Sequence, residues 1–267
     1  ERLILRYDEK SLDSALVYLQ TGIDIMGDNA QLYAGMAYVY WQYVNMGIGQ
    51  EEYLRKFEVY VKKALTMKPN LSSALALFGI LYLYEDYPQN LQDALRYFKK
   101  ALEENPYELR ALSGMVASYV AIGKPSEVYT FLDMMKQHDP LNPWQHSMRG
   151  YCYLNDCKYQ LALEQTYLYY QADSLSPIAQ SNYAWALASN GRRDEALAVT
   201  NRARSENIHN VQTIFYLLLK YALIKDRVSA LHAITPEFKK TCWRDPEWSY
   251  AVASRLSLAG AEKEALD

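Results

Sequence analysis

The chain has 267 residues, half of them hydrophobic, and a formal charge of −3 from 28 Lys and Arg against 31 Asp and Glu. That is ample material for a continuous core, and the even balance (13 basic against 17 acidic over residues 1–133, 15 against 14 over 134–267) excludes the clustered basic face of a nucleic-acid binder. Three cysteines, Cys152, Cys157 and Cys242, are too few for a disulfide framework and read as packing thiols; no run reaches the ~18 apolar residues of a membrane span, and no secretory signal opens the chain.

Residues 11–27 read as the second helix of a partial unit, 1–29. In 30–70, Met36, Ala37 and Tyr40 mark a first helix and Ala64 a second, ending at Pro69, with a long turn over 44–52 between them. In 71–107, Phe78, Gly79 and Tyr82 share one face of a first helix, and Ala94, Phe98 and Ala101 share one face of a second that ends at Pro106. The small residues Gly79 and Ala94 let two antiparallel helices approach closely, and Phe78, Tyr82 and Phe98 are expected to fill the space between pairs. A second long turn covers 85–90. Units 108–142 (Met115, Tyr119, Gly123, Pro140), 143–177 (Gly150, Tyr153, Ala162, Ala172, Pro177) and 178–210 (Tyr183, Ala184, Gly191, Ala196, Ala203) follow. Unit 211–245 is weaker, with Leu217, Tyr221 and Ala230, and its second helix is predicted to break at Thr235–Pro236. The last, 246–267, carries Ala253, Gly260 and Ala265 and stops within a second helix. Starting at Glu1 and ending there, the chain reads as a piece of a longer protein.

Five prolines beat through this series, Pro69, Pro106, Pro140, Pro177 and Pro246, at gaps of 37, 34, 37 and 69 residues. Proline lacks the N–H that continues a helix, so each is expected just past a helix end, with the 37-residue gaps marking an enlarged turn or helix. A helix end recurring every 34 or so residues implies an all-α array of stacked antiparallel helix pairs. The steps Ala94, Phe98, Ala101, Pro106 resemble the second-helix signature of the tetratricopeptide repeat (TPR) family, and the resemblance covers almost the whole chain. It implies a right-handed superhelix, an α-solenoid, over residues 1–267. Strings such as VKKALTMKPNLSSALALFGILYLYEDYPQNLQDALRYFKKALEENP, with the turn near Met46–Tyr53 and Asp139–Leu141, are further similar to the C-terminal TPR regions of bacterial signalling proteins: serine/threonine kinases, nucleotide cyclases and winged-helix regulators. That similarity implies a docking or sensory role.

Catalytic chemistry finds no constellation. His138, His146, His209 and His232 stand in different units without metal-ligand spacing, and Gly47-Ile48-Gly49 follows no strand and is flanked by Glu51 and Glu52, so it is no phosphate loop. The group Arg192, Arg193, Arg202 and Arg204 reads as a solvated helix face. A non-catalytic protein with no metal and no cofactor is expected.

In TPR arrays the first helices line the concave side, and the resemblance carries that groove to Tyr38, Trp41, Tyr84, Arg110, Trp144, Tyr151, Trp185, Phe215 and Tyr250, with Ser254 beside the last. The Lys and Asn residues with which co-chaperone members grip a peptide's terminal carboxylates are missing here. The lining is aromatic, which suits an extended or helical peptide. With 25 tyrosines in the chain, many of these rings serve inter-repeat packing instead. The expected function is a protein-interaction scaffold binding a peptide or protein partner; the alternative is a small-ligand sensor controlling an attached effector domain. The expected partners exclude nucleic acid and membrane, terminal repeats could self-associate, and a cytoplasmic location is expected.

Overall fold

Apolar spacing near 3.6 becomes helix throughout: every regular element among the described residues, 9–83, 88–202, 211–242 and 246–265, is helical in the computed structural model. The chain divides into two compact units, residues 1–118 and 119–267.

The first unit holds α1 (Glu9–Met26), α2 (Ala30–Asn45), α3 (Gln50–Met67), α4 (Ser72–Leu83), α5 (Pro88–Glu104) and most of α6 (Leu109–Ala121). Asn29 starts α2 by accepting the N–H groups of Gln31 and Leu32, two donors that no helical carbonyl can reach. The α2/α3 pair is knit by tyrosines: Tyr40 stacks on Tyr60 at 5.6 Å and Tyr43 meets Tyr53 at 4.8 Å. In the α4/α5 pair Ala94, Phe98 and Ala101 are fully buried, in keeping with their spacing. The rings of Phe78 and Tyr82 pack on Tyr97 of α5, at 4.7 and 5.5 Å, and the same two residues line a pocket with Glu58 and Lys62 of α3, so they serve their own pair as well as the space between pairs. The turn expected over 44–52 is also tighter, Met46–Gly49, because Gly47 and Gly49 adopt positive φ and reverse the chain quickly. Of the turn expected at 85–90, residues 85–87 lie outside the described residues, and 88–90 already belong to α5.

The second unit continues from the end of α6 through a single 3-10 turn (Pro125–Val128) to α7 (Tyr129–His138), α8 (Trp144–Asn155), α9 (Tyr159–Ala172), α10 (Pro177–Ser189), α11 (Arg193–Arg202), α12 (Val211–Ile224), α13 (Arg227–His232), α14 (Pro236–Cys242) and α15 (Pro246–Leu258). One apolar cluster gathers Ala162, Leu187, Ala196 and Leu219; another gathers Leu218, Phe238, Leu256 and Ala259. The break at Thr235–Pro236 is present. Thr235 Oγ1 accepts the Phe238 N–H and restarts the helix, which seats Phe238 edge-on against Phe215 at 5.4 Å. Cys152 and Cys242 are buried packing thiols, but Cys157 is exposed in a turn.

The prolines need correction. Pro69, Pro106 and Pro140 do follow helix ends, whereas Pro177 and Pro246 are the first residues of α10 and α15, where a missing N–H costs nothing. The step from Pro140 to Pro177 is therefore a change of place within the repeat, not an enlarged unit. The true rhythm lies in the turns inside each pair. Gly123, Cys157, Gly191, Lys225 and Gly260 all have positive φ, at steps of 34, 34, 34 and 35. After each, the next N–H reaches back five residues: Lys124 to Tyr119, Lys158 to Tyr153, Arg192 to Leu187, Asp226 to Tyr221 and Ala261 to Leu256, all at 2.8–2.9 Å. This is the Schellman ending, which needs one left-handed residue. Gly47, with Ile48 N–H to Tyr43 carbonyl at 2.9 Å, does the same for α2.

Candidate functional site

Because side chains three and four apart share a helix face, each first helix offers only a few groups to one side. In the first unit that places Tyr38 and Trp41 of α2 in a stack, centroids 5.6 Å apart, with the Arg110 guanidinium of α6 4.4 Å from the Tyr38 ring. Glu108, itself buried, accepts from Arg110 Nη1 at 2.7 Å and fixes the guanidinium there. Among the described residues the buried indole N–H of Trp41 has no acceptor, and the neighbouring Gln42 is fully buried with neither amide atom bonded. Tyr84 lies outside the described residues.

In the second unit the expected residues converge on one that sequence reasoning missed, Arg255. Its guanidinium lies 4.9 Å from the Trp185 ring of α10 and 5.5 Å from the Phe215 ring of α12. Tyr151 of α8 and Tyr250 of α15 are within electrostatic reach of it. Arg255 Nη1 donates to the Ala251 carbonyl at 2.7 Å, while Nε is buried without an acceptor among the described residues. Burial pushes its pKa down to about 10, so it stays a cation at neutral pH. Phe215 is buried, Trp185 and Tyr151 are half-buried, and Tyr250 is exposed. Trp144 is placed differently: its ring meets Tyr169 of α9, within its own pair, edge-on at 6.4 Å. Ser254, expected to face inward, returns its hydroxyl to the Ala251 carbonyl. The signal that could have found Arg255 is a lone cation between Ala253 and Leu256 in an apolar helix.

No group of three His, Cys, Asp or Glu among the described residues could hold a metal ion. His146 Nδ1 meets Gln165 Oε1 at 2.9 Å, and His209 lies outside the described residues. No helix among the described residues is long and apolar enough to cross a membrane.

Residues 88–150 match the tetratricopeptide repeat family model. No curated protein matches the chain. Among solved structures it is similar to a tetratricopeptide repeat protein from Parabacteroides merdae, at 18% identity over 87% of this chain and 88% of that one, TM-score 0.50. It is also similar to PilW, a widely conserved type IV pilus biogenesis factor, at 14% identity over 80% of this chain and 99% of that one, TM-score 0.56. The APC/C hetero-tetramer Cut9–Hcn1 matches at 15% identity over 95% of this chain and 49% of that one, TM-score 0.66. At such identities the likeness is one of fold, and the fold is that of an all-α TPR array.

Proposed function

We propose that this TPR array is a non-catalytic interaction module that holds a peptide, or a segment of a partner protein, against the aromatic faces of its first helices. The observation that carries the reading is the stack of Trp185 and Phe215 about Arg255, drawn from three successive first helices of the second unit. Tyr38, Trp41 and Arg110 form a comparable aromatic and cationic group in the first unit. Rings of this size offer large contact area with few rotatable bonds, so a ligand's side chains can be gripped at little entropic cost. A place in a larger bacterial signalling or regulatory protein is part of the same proposal.

The test is a peptide-array and pull-down screen on the full chain, followed by titration of the captured ligand. Trp185→Ala and Trp41→Ala are expected to weaken binding about tenfold or more where the ring is an anchor. Ligands whose affinity ignores both substitutions would refute the aromatic faces as the binding surface.

A further inference from the structure

Arginine is almost never buried without an anionic partner, since an unpaired buried charge is costly. Among the described residues Arg110, Arg149, Arg192 and Arg227 each meet a carboxylate: Glu108, Asp133, Glu195 and Glu264. Arg255 does not, although it is only 8% exposed. Its one hydrogen bond is made by Nη1, to the Ala251 carbonyl. The opposite edge, Nε with Nη2, has no protein acceptor among the described residues. That edge carries two parallel N–H donors and is the side on which a guanidinium takes a carboxylate in a two-point pairing. The flanking rings of Trp185 and Phe215 hold the guanidinium in place, so the donors are fixed before any ligand arrives.

We infer that Arg255 is a recognition residue for a carboxylate of the bound peptide, lying next to an apolar or aromatic residue that packs on Trp185 and Phe215. The inference rests on the peptide-binding reading of this face and specifies its ligand. One cation with apolar walls matches the single charge of a carboxylate; a doubly charged phosphate would call for a second cation, and none joins the stack among the described residues. The carboxylate has two sources, an Asp or Glu side chain or a chain terminus.

The experiment is an array of N-acetylated random dodecapeptides on the full chain, each sequence in acid and amide versions. One series exchanges Asp and Glu for Asn and Gln, and the other exchanges a free C-terminus for an amide. Wild type is expected to bind the acid versions of its ligands roughly tenfold more tightly than the amide ones, the scale of a hydrogen bond between charged groups. The series showing the preference names the source. Arg255→Met, which keeps the stem and the apolar contacts, should erase the preference. Arg255→Lys, with charge but no fork, should keep only part of it. Equal binding of acid and amide versions by wild type overturns the inference and needs no variant to fold. If such binding still depends on Trp185, the peptide-binding reading survives alone. A preference that persists in Arg255→Met also overturns it, and if no peptide binds, both fall.

Discussion

Gly114 and Phe98 occupy each other's space: a Cβ on Gly114 would stand 2.3 Å from the Phe98 ring. The same ring lies 2.7 Å from where a Cβ of Gly79 would be, and that second Cβ would also meet the Ala94 carbonyl at 3.1 Å. The ring is therefore clamped between α4 and α6 and cannot retreat. Gly114→Ala gains about 1 kcal/mol of helix propensity but overpacks a closed site, which costs typically 1–3 kcal/mol, more where the neighbour cannot move. A net loss of about 1–2 kcal/mol is expected from urea unfolding. Phe98→Leu added to Gly114→Ala should cost less than the two singles summed, and full additivity would show that ring and glycine do not compete.

Lys225 has φ of 56°, at the position that Gly123, Gly191 and Gly260 fill in other pairs. A side chain in the left-handed region costs ~1–2 kcal/mol, and the extra chain entropy of glycine returns ~0.5–1 of it. Lys225→Gly should therefore raise stability by about 0.5–1 kcal/mol. Gly191→Ala should lower it by about 1 kcal/mol, through conformation alone, because a Cβ there meets nothing within 4 Å. A common urea midpoint for Lys225→Gly and the parent chain would refute the strain.

These turns also show what could be read beforehand. Ala94, Phe98 and Ala101 announced their burial because helical spacing needs only residue type and distance along the chain. The 34-residue rhythm itself was blurred in the prolines, which are equally at home after a helix end and at a helix start. Nothing in Cys157 or Lys225 announces positive φ, since the surrounding hydrogen bonds impose it. On α15 the inward projection stopped at Ser254, one residue and about 100° short of Arg255. On α8, Trp144 opens the helix right after Pro143, and its ring meets Tyr169 of α9.

Gln42 is fully buried on α2, and its amide nitrogen and oxygen both lack partners among the described residues. Desolvating an amide without compensation costs ~1–3 kcal/mol by mutational measures. Gln42→Met keeps the length and removes both polar atoms, so stability should rise by about 1–2 kcal/mol. Thermal and urea unfolding would check it, and a loss of stability would mean that the amide is satisfied within the folded protein.

Tyr169, buried against Trp144, has its hydroxyl pKa pushed up to about 12, mainly because burial disfavours the phenolate. An unfolded tyrosine ionises near 10. Below that value both states keep the proton and the burial counts fully toward stability. Between about 10 and 12 the unfolded chain releases its proton first, so the folded state loses ground as pH rises and the contribution is gone above the folded value. Tyr40, Tyr43, Tyr129 and Tyr183 are raised by burial in the same direction and steepen the effect. Melting temperature should therefore fall steeply above pH ~10, and Tyr169→Phe, which has no proton to lose, should fall less steeply than wild type. Melts followed by circular dichroism from neutral pH into that range would test the point. Parallel declines in the two proteins would show that Tyr169 ionises as freely in the folded chain as in the unfolded one.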